Sequence, residues 1–118
     1  MIDNDTPAFK VSQVAKHLNM SVDRLRTYDE EKLVLPLRDR TVRLYSNNDI
    51  EWLENLRKII KRNKLSICGF KEILRISYLI DDNVFDKLVK NKDGNDIWEI
   101  IAQMRKNSNY EKLKKFYV

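Results

Sequence analysis

A single cysteine, Cys68, and a single histidine, His17, occur in this chain of 118 residues. One thiol closes no internal disulfide, which fits a reducing compartment, and Cys68 reads as a small buried apolar residue. No cluster of Cys and His offers ligands for zinc, copper or mercury, so neither a metal nor another cofactor is expected. His17 has no nucleophile beside it and no Gly-rich loop is present to cradle a phosphate, so an enzyme is not expected. No stretch approaches the length of a membrane span. Met1 to Thr6 are polar and acidic where a signal peptide would be apolar, and a cytoplasmic protein with no membrane partner is expected.

What the chain has is charge and helical periodicity. Lys and Arg number 23 against 18 Asp and Glu, a formal charge of +5 that favours polyanionic partners. The excess is modest and scattered, and a lysine-rich surface also serves solubility alone. At this length the core is limited, and stability can depend on a partner subunit.

Ser12 is an N-cap type, after which Val14, Ala15 and Leu18 recur at helical spacing. Asn19-Met20-Ser21 supplies a residue tolerant of left-handed backbone, an apolar plug and a second cap, predicting a sharp turn. A second helix follows from about Val22 to Glu30. Val22 and Leu25 can face the first helix, while Asp23, Arg24 and Thr27 project away and Arg26 and Tyr28 lie at the flanks. Two helices joined by so short a turn form a helix-turn-helix, whose second helix enters the major groove of duplex DNA. Ser21, Asp23, Arg24, Arg26, Thr27 and Tyr28 are its candidate contacts. Arg26 has a second reading, as an ion pair with Asp29 or Glu30 that orients the helix.

From Leu37 to Tyr45 arginines alternate with β-branched residues, the pattern of a two-stranded wing. Arg38, Arg40 and Arg43 can reach phosphates, Thr41 and Tyr45 offer hydroxyls, and Tyr28 and Tyr45 have a second reading as core edges whose hydroxyls reach phosphates. Ser46 and Asp49 form a short capping box for a third helix with Ile50, Leu53, Leu56 and Ile60 inward. Ser66 caps a fourth, with Ile67, Phe70, Ile73 and Leu74 facing the core. The cluster Lys58, Lys61, Arg62 and Lys64 divides between solvated surface and phosphate contact, and Lys112, Lys114 and Lys115 read as solubilising.

Val11-Ser12-Gln13-Val14-Ala15-Lys16, Leu25-Arg26-Thr27-Tyr28-Asp29, Leu33-Val34-Leu35-Pro36 and Arg43-Leu44-Tyr45-Ser46 resemble, in order and spacing, the N-terminal domain of MerR-type transcriptional regulators. The resemblance covers roughly residues 9 to 76. Leu25-Arg26-Thr27-Tyr28-Asp29 together with Leu65-Ser66-Ile67-Cys68-Gly69-Phe70-Lys71-Glu72-Ile73-Leu74 is most similar to the heat-shock repressor (HspR) branch and less closely similar to the glutamine-synthetase repressors, and Asp5-Thr6-Pro7-Ala8-Phe9 fits the lead-in of the HspR branch. Asn19 and Lys32 stand where the family usually has Gly. Asn19 is a ready substitute, whereas Lys32 predicts an altered exit from helix two. The wing also lacks the usual Gly.

After Leu74 the pattern breaks into short helices. Asp81-Asp82-Asn83 caps one carrying Val84, Phe85, Leu88 and Val89, and Asn91-Lys92-Asp93-Gly94 is a turn signal. Asp96 and Glu99 open another with Ile97, Trp98, Ile100, Ile101 and Met104, and Tyr110, Leu113, Phe116 and Tyr117 end the chain. Such pieces do not make the long antiparallel coiled coil that typically joins dimers of the family. Ile80, Val84, Phe85, Leu88, Trp98, Ile101 and Phe116 are therefore the candidate dimer or partner surface. Alternatively, the aromatics of the tail are internal core.

The expected architecture is all-α with a small β wing: an N-terminal arm (1–8), a winged helix-turn-helix DNA-binding domain (9–76) and a helical tail (77–118). The resemblance implies a homodimeric regulator on the nucleoid that binds an inverted repeat. It further implies repression of chaperone genes, with a chaperone or another protein as co-regulator. No small-molecule effector is expected, because about 38 residues offer little room for the usual pocket of a few hundred cubic ångströms. Alternatives are an architectural or excisionase-type DNA binder and a protein-interaction adaptor.

Overall fold

The computed structural model describes residues 3–89 and 97–118, which fall into two compact units, Met1–Glu54 and Asn55–Val118. The turn signal at Asn91–Gly94 and the cap at Asp96 lie outside the described residues. The chain is mostly helical with a small antiparallel sheet. No described helix is long and apolar enough to cross a membrane.

The first unit holds strand β1 (Phe9–Lys10), helices α1 (Val11–Leu18) and α2 (Val22–Glu30), strands β2 (Leu37–Asp39) and β3 (Val42–Tyr45), and the start of α3 (Asn47–Asn63). Helix α1 begins one residue before Ser12, so the N-cap is Lys10. The Gln13 side chain reaches back to accept from the Lys10 amide at 2.8 Å. That cap places Lys10 in extended backbone, and with Phe9 it pairs with β3, a strand that the sequence pattern did not reveal. The leading residues are also fastened: the Asn48 amide donates to the Asn4 carbonyl at 2.9 Å and its side chain to Asp5 at 2.8 Å.

Helix α1 stops at Asn19, whose φ of 53° lets the Met20 amide return to the Ala15 carbonyl. Ser21 then accepts from the Arg24 amide at 3.1 Å and starts α2. Lys32 adopts φ 61°, and the Leu33 amide bonds the Tyr28 carbonyl at 2.9 Å. At the exit of α2 the lysine itself takes the left-handed conformation that ends helices and that glycine adopts most readily. Lys64 ends α3 the same way, at φ 51° with Leu65 bonded to Ile60.

The capping box of α3 is reciprocal, Ser46 amide to Asp49 carboxylate at 2.9 Å and Asp49 amide to Ser46 hydroxyl at 3.1 Å. Its fully buried residues are Trp52, Leu53, Leu56 and Ile59, whereas Ile50 and Ile60 are half-buried. Helix α4 (Ile67–Leu79) is capped by Ser66, and it buries Phe70, Leu74 and Ser77. Ile67 and Ile73 are half-buried, and Cys68 is exposed on this helix, not internal as its residue type suggested.

The second unit continues through α5 (Asp82–Leu88), α6 (Ile97–Arg105), α7 (Ser108–Leu113) and a closing 3-10 turn, Lys114–Phe116. Its core combines Phe85, Ile100, Ile101, Met104, Tyr110 and Leu113. The Phe85 ring meets Trp98 edge-on at 5.9 Å and lies under the Arg105 guanidinium at 4.2 Å, and Arg105 also pairs with Asp82. Tyr78 stacks on Tyr110 at 4.2 Å and donates to its carbonyl, while the Ser77 and Tyr110 hydroxyls lie 3.0 Å apart.

Candidate nucleic-acid interface

Helix α2 turns Leu25, Tyr28 and Asp29 inward. Asp23, Arg24 and Arg26 are exposed, with Thr27 half-buried among them. Ser21 is spent on the cap, and the Thr27 hydroxyl donates to the Asp23 carbonyl at 3.0 Å, a local bond that occupies its proton. Arg26 reaches Asp23 at 3.8 Å, not Asp29 or Glu30. With the Asp23 side chain 94% exposed, that contact is a surface pair of small worth. Tyr28 is buried, so it is an anchor of the helix, and its ring does not lie on the outward face.

The wing is β2 and β3, paired Leu37 to Leu44, Arg38 to Arg43 and Asp39 to Val42. Only Arg40 and Thr41 remain to close it, and Arg40 takes φ 58°. A positive φ at the first loop position is what a two-residue hairpin needs, and here an arginine meets it where glycine is usual. Arg40 and Thr41 are both exposed at the tip.

Arg38 and Arg43 are placed differently from the expectation of simple phosphate contacts. Arg38 Nη2 and Arg43 Nε both donate to one oxygen of Asp29, at 2.6 Å and 2.5 Å. The Asp29 side chain is 2% exposed, Arg43 18% and Arg38 53%. The Asp29 hydrogen bond raises the Arg43 pKa above its ordinary value, against the opposing effect of burial. Helical geometry carries the signal for this site: Asp29 follows Leu25 by four residues and must share its buried face.

Tyr45 is also corrected. Its ring is fully buried and its hydroxyl has no hydrogen-bond partner, so it cannot reach a phosphate. Burial pushes its phenol up to about 12.

Of the proposed dimer or partner residues, Phe85 and Ile101 are buried in the core of their own unit, Phe85 on α5 against Trp98 and Ile101 on α6. Ile80, Leu88 and Trp98 are half-buried, and Val84 and Phe116 are exposed. The exposed apolar side chains of α4, Ile76 and Leu79, belong with that set and were not among the candidates. The second unit also holds an open cleft of about 770 Å³, lined by Asp82, Phe85, Asp86, Glu99, Arg105 and Lys106 among others. Such a volume is within the range of ligand sites, so lack of room does not argue against a small ligand. Among the described residues no cluster of His, Cys, Asp and Glu could hold a metal ion.

The positive charge is segregated, not scattered. Met1–Glu54 carries 8 Lys+Arg against 10 Asp+Glu, and Asn55–Val118 carries 15 against 8. The unit that holds α2 is therefore slightly acidic overall.

Two short helices, a tight capped turn and an arginine-bearing β ribbon define a winged helix-turn-helix protein. The chain belongs to the MerR HTH family of regulatory proteins, whose model matches residues 9–76. Over 78 residues, 64% of the chain, it is 32% identical to a heat shock protein HspR of Streptomyces coelicolor. The match covers 50% of that protein, so the chain spans about half the length of the curated relative. No solved structure matches the chain.

Proposed function

We propose that this regulator is a homodimeric repressor that reads an inverted repeat, with α2 in the major groove and the β2–β3 wing against flanking phosphates. The observation that carries this is the outward face of α2, where Asp23, Arg24 and Arg26 are exposed at the capped start of the helix. A two-fold protein matches a two-fold operator, and the apolar side chains of Ile76, Leu79 and Val84 are suited to the subunit contact. Similarity to a heat shock protein favours stress or chaperone genes as targets, and a chaperone or other protein as co-regulator. Work on the nucleoid follows from operator binding.

Genome-wide mapping of bound DNA, paired with transcript levels after deletion, tests the reading. Sites at a few promoters whose transcripts rise on deletion support it. Falling transcripts would make the protein an activator, sites at recombination loci would favour an architectural role, and no sites would favour an adaptor. Titration with zinc, copper and hydrophobic cations tests the signal: a shift in operator affinity of more than about tenfold, roughly 1.4 kcal/mol of coupling, would replace the protein co-regulator with a ligand.

A further inference from the structure

We propose that Asp29 is a positioning residue for DNA reading: it holds the β2–β3 wing at a fixed angle to α2, and Arg43 serves as a strut of that joint instead of a phosphate contact. The inference rests on the operator-binding reading above and deepens it. Arg38 and Arg43 are register partners across the ribbon, so two like charges stand directly opposite each other. Such a pair destabilises a ribbon unless a counter-charge lies between them. The Asp29 carboxylate is that counter-charge, and it comes from the last turn of the reading helix.

The dependence is mutual. A buried carboxylate is tolerated only when paired, and both hydrogen bonds shown here come from the wing. The connection is short and packed: Leu33 and Val34 are fully buried, and Pro36 restricts the backbone on either side of its own peptide bond. Helix and wing therefore behave as one rigid reader, in which base contacts and phosphate contacts keep a set spacing. Arg43 has its Nε turned inward and little surface left. Arg40, exposed at the wing tip with no ion pair among the described residues, is the cation left for the phosphate.

Full-length Asp29→Asn, Asp29→Glu, Arg43→Gln and Arg40→Gln proteins separate these roles. Operator affinity is followed over a range of salt, at a temperature where circular dichroism shows each variant folded. Asp29→Asn and Arg43→Gln should each weaken operator binding about tenfold, because rigid spacing is lost, while the slope of log affinity on log salt stays unchanged. Arg40→Gln should reduce that slope by about 0.9, the signature of one lost phosphate contact. Asp29→Glu, which keeps the charge, should recover most of the affinity. A slope reduced by about 0.9 in Arg43→Gln, or full operator affinity in folded Asp29→Asn, would overturn the proposal. Hydrogen exchange without DNA judges the joint separately: Asp29→Asn should speed exchange in Arg38 to Arg43 at least about tenfold over α1, and unchanged rates there would sink the joint. A wild-type protein that binds no duplex, but whose wing loosens in Asp29→Asn, would retire the operator reading and leave the joint standing.

Discussion

The indole N–H of Trp52 donates to the backbone carbonyl of Leu33 at 2.6 Å, and both residues are fully buried. Leu33 is the first residue after the left-handed stop of α2, so this bond ties the departure point of the reading helix to α3. Loss of the donor would strand a buried carbonyl and leave a void. Trp52→Phe should destabilise the protein by about 2–4 kcal/mol, read as a lower urea midpoint. A change below about 0.5 kcal/mol would mean that water or a neighbour replaces the indole.

Tyr45→Phe should behave oppositely. The hydroxyl it removes is buried without a partner, so stability should hold or rise by about 1 kcal/mol. The pH dependence has a definite sign. With a folded pKa of about 12, above the ordinary tyrosine value of about 10, ionisation favours the unfolded chain, so stability is level with respect to this group below pH 10 and falls as pH rises from about 10 through 12. Tyr78 and Tyr110, raised chiefly by burial, act in the same direction. Denaturant midpoints from pH 8 to about 12 should show a shallower alkaline fall in Tyr45→Phe than in wild type.

Lys32→Gly and Lys64→Gly should each stabilise the chain by up to about 1 kcal/mol. The left-handed conformation costs a side-chain-bearing residue about 1–2 kcal/mol, and glycine's greater freedom when unfolded returns about half of that. Valine at either position should lower the thermal midpoint, since branched side chains resist positive φ. If glycine lowers it too, the lysine side chains contribute contacts that outweigh the strain.

Arg24→Ala should cost about 1–3 kcal/mol on the preferred DNA site and little on competitor DNA. Replacing Lys58, Lys61 and Lys64 together by Gln should instead slow association at low salt and weaken all sequences alike, as expected where Asn55–Val118 holds the excess positive charge. Stopped-flow and equilibrium titrations on both DNAs distinguish the two patterns. Equal losses on every sequence from Arg24→Ala would remove it from base reading.

Phe85→Ala should cost about 3–5 kcal/mol in unfolding experiments, as for any buried ring. Leu79→Glu should leave the fold intact and halve the mass seen by light scattering if the exposed face of α4 forms the subunit contact. A wild-type mass near 14 kDa at high concentration would leave no dimer to disrupt.

Reading helix, wing and capping boxes were legible because each depends on neighbours along the chain: Ser21, Ser46 and Ser66 all cap as their spacing predicts. The partners of Asp29 were not legible, since they lie 9 and 14 residues away and only tertiary pairing selects them over Arg26. For Tyr45 the core-edge reading holds and the reach of its hydroxyl does not, because strand alternation tells which side chains share a face without telling how deeply that face is covered. The same limit applies to Phe85 and Ile101: apolar side chains at helical spacing look alike whether they meet their own chain or another.

Cys68 gives the molecule a practical handle. One exposed thiol per chain accepts a single spin label or fluorophore without any engineered cysteine. In a two-fold dimer two such labels report one distance, and operator binding would register as a change in it. The same thiol is a hazard in preparation. Without reductant, two chains can be linked through Cys68, and that covalent pair would have the mass of a dimer on a sizing column without its symmetry or its grip on DNA.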